Sequence, residues 1–309
     1  MSKENVIIPI AIDHGYSHMK TKDDIFPTGV AAIDEPISYE NVLEVGGKCY
    51  RIGGARMDVL EDKTQTDDFL LLTYAAIAMA LEKKGLKKAK VILAVGLPIG
   101  RLAREKEAFK KYLMRNPEVK FFYGKKAYVV TIENVIVFPQ CYGAVAELLP
   151  TMKAEELIVD VGSWTVDTLM IINHSPDESR CGSDPNGLIT CMRKIDEECV
   201  RRFNTKVGES IIREVMIKGD ADVDREYVEV IEKALTRYSK SIFHIIRETG
   251  VAVKTTPITF VGGGATLMRR YAGLDSQKNI RYIEDVRANA RGYDMLLKTI
   301  LKQKGVEIG

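Results

Sequence analysis

At 309 residues and 46% hydrophobic content, the chain is long enough for two ordinary domains, each with a core of its own. Its 45 basic and 43 acidic residues leave a formal charge of +2, too balanced for the electrostatic footprint of a protein that binds nucleic acid directly. Five cysteines without a C-x-x-C pair or a regular framework (Cys49, Cys141, Cys181, Cys191, Cys199) predict reduced thiols and a cytoplasmic protein, and no run of roughly 18 apolar residues or basic-then-apolar N-terminus predicts a membrane span or export.

Residues 5–13 read as the first strand, apolar from Ile7 to Ile12 and ending on Asp13, with Tyr16 to Lys20 returning as its hairpin partner. From Asp23 to about Thr64, short strand-like pieces are punctuated by Gly29, Val45-Gly46-Gly47 and Ile52-Gly53-Gly54, which predicts a small, mostly β insertion. A helix follows over Asp67 to Lys84, with acidic residues at its start, lysines at its end and Gly85 as the C′ residue; its middle is apolar nearly all round, so it should be buried on most sides. Val91 to Pro98 is a central strand, Arg101 to Met114 an amphipathic helix, and Lys120 to Tyr123 with Ala127 to Ile132 a hairpin. Val135 to Phe138 is a further strand closed by Pro139, with Gln140 just before a helix expected through Leu149.

The second half opens on Leu157 to Val161, a buried strand carrying Asp160 into a turn through Gly162, and returns over Thr168 to Ile172. Residues 173–187 read as a polar connection. Helices are expected at 188–203, 208–218 and 224–249, the last with a core stripe of Tyr227, Ile231, Leu235, Tyr238, Ile242 and Ile245. Pro257 to Val261 is a strand entering Gly262-Gly263-Gly264 before a helix from Ala265; Ile280 to Ile283 is the last strand, and a helix over Val286 to Leu301 closes the chain. Strands alternating with helices, with a hairpin in each half, predict two α/β lobes with mixed sheets.

The chemistry concentrates on a repeated pattern. Asp13-x-Gly15 and Asp160-x-Gly162 each follow a buried strand about half the chain apart, which argues for two related halves facing one ligand. Backbone N–H groups in small-residue turns can cradle phosphate without a lysine-bearing loop. Mg²⁺ needs one or two carboxylates beside phosphate oxygens and water, so Asp13 and Asp160 are the candidate metal residues, reaching the ion through water. Gly262, Gly263 and Gly264 before a helix can admit an adenosine or face a phosphate. Gln140 offers a donor and an acceptor that could orient a water for in-line attack. Taken singly, each feature also has a bland reading: an ordinary turn, a packing glycine, a polar residue at a helix start. His14 and His18 sit in an extended hairpin, where a spacing of four gives no convergent face, so a transition-metal site is not expected there. Trp164 reads as packing beside the phosphate turn.

These motifs resemble the actin, sugar-kinase and heat-shock ATPase superfamily, specifically bacterial actin-like plasmid-segregation proteins of the ParM/StbA type, over nearly the whole chain. Asp13-x-Gly15 with Lys20 resembles the first phosphate motif, Asp160-x-Gly162-x-x-Thr165-x-Asp167 the second, and Val261-Gly262-Gly263-Gly264-Ala265 the adenosine motif. Pro139-Gln140 with Gly143-Ala144 and Asn289-Ala290-x-Gly292 occupy the two connecting motifs. Ser163 stands where many relatives have a second glycine, and Gln140 where ParM-type proteins often carry Glu and actin itself Gln.

The resemblance implies an actin-like, duplicated ribonuclease-H-like α/β fold around a nucleotide cleft. Domain I would cover 1–155 plus a C-terminal helix at 286–309, with the β insertion at about 23–66; domain II would cover 156–285, with a helical insertion at about 186–252. It implies an ATPase that binds ATP or ADP with Mg²⁺ through Asp13, Gly15, Tyr16, Ser17, Lys20, Gly162, Ser163, Trp164, Thr165, Gly262, Gly263, Gly264 and Gly292, with Asp160 and Gln140 catalytic. It further implies polymerisation into filaments and a DNA-bound adaptor protein, with no direct nucleic-acid or membrane contact. The alternative is a small-molecule kinase of the same superfamily, against which the short Asp23 to Thr64 region shows no sugar-binding set.

Overall fold

The computed structural model describes residues 6–57, 62–274 and 276–309; residues 58–61, within the expected β insertion, lie outside them. Two compact units result, one of residues 1–97, 101–146 and 289–309, the other of 98–100 and 147–288.

In the first unit, β1 (Ile7–His14) is buried along nearly its whole length because it has a strand on each side. It pairs antiparallel with β2 (His18–Thr21) and parallel with β7 (Lys88–Leu97), which is why both carry apolar residues on both faces. With β3 (Ile25–Pro27), β4 (Val30–Ile33), β5 (Val42–Val45), β6 (Lys48–Ile52), β8 (Glu118–Tyr123) and β9 (Lys126–Pro139), the sheet runs β3-β2-β1-β7-β9-β8-β5-β6-β4. The expected insertion is therefore strands β3 to β6, continuous with the main sheet. β9 is one strand where two were expected. Ile132 faces Val91 and Asn134 faces Ile92, so Glu133 is an extra residue, a bulge that lets a polar pair interrupt the apolar pattern without ending the strand.

The helix α1 (Asp68–Lys83) covers one face of this sheet, with Phe69 to Ala78 continuously buried as its all-round apolar character requires. Its end follows the sequence: Gly85 has φ +67° and the Leu86 N–H reaches the Leu81 carbonyl at 2.9 Å, a Schellman closure. Its start is fixed from elsewhere. The Tyr112 hydroxyl, on α2 (Ile99–Leu113), accepts from Leu70 N and donates to Thr66 O, both at 2.8 Å, which satisfies an amide that no Asp67 side chain caps. The opposite face of the sheet is covered by the last helix of the chain, over Ala288–Gln303, whose Tyr293, Leu297 and Leu301 pack on Ala11, Ile92 and Ala94.

The helix expected after Gln140 through Leu149 is absent from the described residues; two short 3-10 turns, Gly143–Val145 and Leu149–Thr151, stand in its place. Pro150 disfavours helix at the residue before it, and Cys141 adopts a left-handed φ of +66°. The amides that a helix would have used, those of Cys141 and Ala144, instead donate to Asn289 Oδ1 at 3.1 Å.

The second unit is a five-stranded sheet ordered β12-β11-β10-β13-β14, with β10 (Glu155–Val161) and β11 (Val166–Ile172) antiparallel, and β13 (Ile258–Val261) and β14 (Ile280–Ile283) parallel to β10. Residues 173–187 are not a loop: β12 (Ser175–Asp184) pairs with β11 through a two-residue turn in which Asn173 and His174 both have positive φ. As an edge strand it is mostly polar with no fully buried residue, and the turn lacks a glycine, so it reads as connection in the sequence. The helices α3 (Leu188–Phe203), α4 (Glu209–Lys218), α5 (Arg225–Glu248) and α6 (Gly263–Tyr271) lie within one residue or two of expectation. On α5, Ile231, Leu235 and Ile242 are fully buried, with Tyr227, Tyr238 and Ile245 packed at the margin of the same core. The closing helix, α7 (Ala288–Gln303), begins two positions later than the sequence pattern suggested.

Candidate functional site

Each unit presents one strand–carboxylate–turn–strand hairpin. In the first unit, Asp13 sits on β1 opposite Lys20 on β2 and is buried to 2% exposure. Its Oδ2 pairs with Lys20 Nζ at 3.0 Å and its Oδ1 accepts from Gln140 Nε2 at 3.2 Å. Gln140 is brought there by the strand order: β9 lies beside β7, β7 beside β1, and the Gln140 N–H still donates to Leu97 O at 2.8 Å. Burial by itself would raise the Asp13 pKa; the Lys20 ammonium and its hydrogen bond, with Lys63 adding, outweigh it and hold the carboxyl below its usual range. The expected trio of Asp13, Lys20 and Gln140 is thus one connected group.

The turn between β1 and β2 is tight enough to need its glycine. A Cβ on Gly15 would stand 2.6 Å from His18 O. Thr28 holds this turn from below, its hydroxyl donating to Gly15 O at 2.6 Å and its amide to Ser17 O at 3.0 Å. Tyr16 accepts from Arg101 at 3.3 Å, and Ser17 Oγ accepts from Arg56 at 3.0 Å.

Three residues of this site carry no signal in the sequence. Lys63 is buried to 4% exposure, donates to His14 O at 2.5 Å and stands 4.9 Å from the Tyr16 ring centre. A lysine in a polar turn reads as solvated surface, and the same holds for Thr28 and Arg56, which reach the hairpin only through the folding of β3 to β6.

His14 faces the core: its Nε2 lies 2.9 Å from Thr73 Oγ1, whose proton is used on Phe69 O, so the imidazole is the donor. Burial, then Lys63, pushes its pKa down to about 3. Among the described residues no cluster of three or more His, Cys, Asp or Glu could hold a metal by itself. The depressed pKa gives a sign. The unfolded chain binds this proton near pH 6.5 and the folded chain only near 3, so stability is full above about 6.5 and falls as pH drops through that window. Between pH 7 and 5 His14 should cost the fold about 2 kcal/mol. Urea unfolding at the two pH values is expected to show that difference shrinking by about this amount in His14→Gln; an unchanged difference would show that the ring titrates normally.

In the second unit, Asp160, one residue before the end of β10, lies opposite Asp167 on β11. The turn between them closes through Gly162 N to Thr165 O at 2.9 Å, with the Thr165 hydroxyl on Asp167 at 2.8 Å. The carbonyls of Gly162, Ser163 and Trp164 accept from Leu188, Ile189 and Gly187 at 2.9–3.0 Å, so the turn sits on the start of α3. Gly187 packs so closely under this turn that a Cβ there would lie 2.3 Å from the Trp164 carbonyl carbon. Trp164 has Arg193 over its ring at 5.4 Å, and its buried Nε1 has no hydrogen-bond partner among the described residues.

The glycine run joins this hairpin. Gly262, at φ +74° and ψ −163°, occupies a conformation that only glycine adopts readily, and a Cβ there would lie 3.0 Å from Asp160 Oδ1. A Cβ on Gly264 would meet Val161 Cβ at 2.2 Å, which lets the first turn of α6 lie directly on β10. Gly263 meets only Val286, at 3.6 Å. Asp160, Gly162 and Gly262 to Gly264 are therefore neighbours. Gly292 is placed differently: in α7 it lies against Gly143, and a Cβ would fall 1.7 Å from Gly143 O. That contact accounts for the glycine by packing.

Two mixed sheets, each with helices and each carrying a carboxylate hairpin, define an actin-like fold. Residues 11–143 match the family of actin like proteins, N terminal domain. Among solved structures, the archaeal actin homologue Ta0583 is similar at 20% identity and TM-score 0.76, covering 94% of this chain and 99% of its own; the same homologue in complex with ADP matches at TM-score 0.74. A ParM from Clostridium botulinum, solved as a 15-stranded filament, is similar at 18% identity and TM-score 0.76, covering 95% and 99%. The actin-like protein Alp7A is similar at 15% identity and TM-score 0.73, covering 97% and 99%. No curated protein sequence matches the chain. The actin-like resemblance drawn from the motifs is borne out by the match over residues 11–143 and by the shared fold.

Proposed function

We propose that the chain binds and hydrolyses ATP with Mg²⁺ in the cytoplasm and polymerises into filaments that segregate plasmid or other low-copy DNA through a DNA-bound adaptor. The observation that carries the reading is the Asp13 group: a buried carboxylate held ionised by Lys20 and hydrogen-bonded to the Gln140 amide. A structural ion pair needs no glutamine at its second oxygen, whereas an ATPase needs a neutral amide close to an anionic metal-and-phosphate site.

The residues fit the nucleotide. Carbonyls of the 162–164 turn are committed to α3 and the Gly162 amide to Thr165 O, so the Ser163 and Trp164 amides are the groups assigned to an anion, and Gly15 and Gly162 allow close approach of phosphate oxygens. Tyr16, Ser17 and Lys20 in the first unit and Ser163, Trp164 and Thr165 in the second are the residues we assign to phosphate, and Gly262, Gly263 and Gly264 those we assign to the adenosine, Gly263 being the one whose Cβ position meets only Val286, at 3.6 Å. Asp13 and Asp160 would hold Mg²⁺ through its waters; when bound, the ion neutralises charge on the transferred phosphoryl group. Gln140 is the residue we assign to accept from the attacking water and align it, and Asp160 is the catalytic carboxylate we assign from the second unit. Filament formation follows from a head-to-tail contact that does not close, the arrangement that gives open polymers. The ParM and Alp12 relatives solved as filaments support this step.

Pelleting and light scattering with Mg-ATP test the proposal. Purified protein at micromolar concentration should sediment with Mg-ATP and not without nucleotide, and electron microscopy should show filaments. Protein that stays monomeric with Mg-ATP across ordinary salt concentrations would overturn it.

A further inference from the structure

The base of the β insertion grips the first phosphate hairpin through contacts that the nucleotide motifs do not include. Gly53 N donates to Gly29 O at 2.9 Å and Met57 N to Thr28 O at 3.1 Å, and a Cβ on Gly29 would lie 2.4 Å from Ala55 O. Residues 53–57 are thus seated on Thr28 and Gly29. Thr28, buried to 1% exposure, in turn donates twice to the turn, to Gly15 O and Ser17 O. Arg56 adds a third bond, from its guanidinium to Ser17 Oγ at 3.0 Å.

The chemistry of that third bond sets a direction. A serine oxygen that accepts from a guanidinium turns a lone pair toward the cation, and its own proton is left to point away. The same cation polarises the O–H and strengthens it as a donor to an anion. Ser17 is 7% exposed, so its hydroxyl cannot choose freely between protein and bulk water. The hairpin that carries it also carries Asp13, which holds the Gln140 amide assigned above to the attacking water. The phosphate next to that water is the terminal one.

We propose that Arg56 is a positioning residue that orients the Ser17 hydroxyl as a donor to the terminal phosphate, so that the insertion selects ATP over ADP. This rests on the ATPase reading above and adds to it a residue outside the phosphate hairpins. Thr28 fixes the height of the turn, and Arg56 fixes the direction of its serine hydroxyl.

Calorimetric titration of the full chain with ADP and with a β,γ-imido ATP analogue, in wild type, Arg56→Ala, Arg56→Lys, Ser17→Ala and the double variant, tests the assignment. Arg56→Ala should weaken the ATP analogue about tenfold, the scale of one charge-assisted hydrogen bond, and ADP less than about twofold. Ser17→Ala should do the same, the double variant should be no worse than either, and Arg56→Lys should recover part of the loss because an ammonium also donates to the hydroxyl. Equal weakening of both nucleotides, or losses that add in the double variant, would overturn the proposal and leave Arg56 a structural residue. If Arg56→Ala fails to fold, Ser17→Ala and Arg56→Lys still give the ATP-to-ADP ratio on which the decision rests. Wild-type protein that binds neither nucleotide would instead remove the ATPase reading itself.

Discussion

Asp160→Ala should lose ATP turnover by on the order of 10²–10³ while folding normally, the scale of removing one group that acts on the transition state. The two halves of that expectation have separate grounds. Asp160 is the last polar position of β10 and is partly exposed, and the strand is held by Leu157, Ile158, Val159 and Val161, all buried, with seven pairs to β11 and four to β13. Truncation therefore opens no core cavity, and the thermal midpoint should move by a few degrees at most. Turnover is lost because the carboxylate beside Gly262 is the group assigned to the metal waters and the attacking water. Nucleotide binding should persist, since the turn amides and the glycine run are untouched. Phosphate release at the wild-type rate would refute the role. Asp13→Ala makes an instructive contrast: it should lose turnover and stability together, because it leaves the Lys20 ammonium and the Gln140 amide facing a buried gap.

The different behaviour of those two carboxylates was only half legible in the sequence. Both end an apolar strand and precede a glycine by one residue, so both are readable as hairpin carboxylates, and the pairing of Asp13 with Lys20 follows from counting along a two-stranded turn. What the sequence does not carry is the lateral order of strands. Gln140 reaches Asp13 across 127 positions only because β7 lies between β1 and β9. The same limit explains Lys63, Thr28 and Arg56, whose polar surroundings read as loop until β3 to β6 fold back on the hairpin.

Local readings failed where tertiary partners override propensity. Residues 140–149 have helical composition, yet Asn289 takes the amides of Cys141 and Ala144. β12 looks like a linker because an edge strand need not bury either face. Buried helices and strands were legible for the opposite reason: α1, β7 and β10 state their burial in unbroken apolar runs.

Gly292→Ala is expected to be the most damaging single methyl group in the first unit. Its Cβ would stand 1.7 Å from Gly143 O, 2.5 Å from Gly143 C and 3.0 Å from Gly143 Cα, so the obstacle is backbone on both sides and no side chain can swing aside. Either α7 lifts from the sheet, disturbing Tyr293, Leu297 and Leu301, or the 140–145 segment moves. Overpacking of this kind costs about 3 kcal/mol. The second route has a functional signature, because Asn289 on α7 holds the Cys141 and Ala144 amides, and Gln140 precedes them. Displacing that segment by even a fraction of an ångström lengthens the 3.2 Å bond from Gln140 to Asp13, so turnover should fall further than nucleotide affinity. Gly100→Ala supplies the control: in the first turn of α2, its added Cβ meets nothing within 4 Å, and a methyl group there should leave stability unchanged or raise it by about 0.5 kcal/mol. Urea midpoints for the two variants should separate clearly. Equal midpoints would mean that the helix slides past Gly143 at little cost, and that the glycine is kept for some contact other than this one.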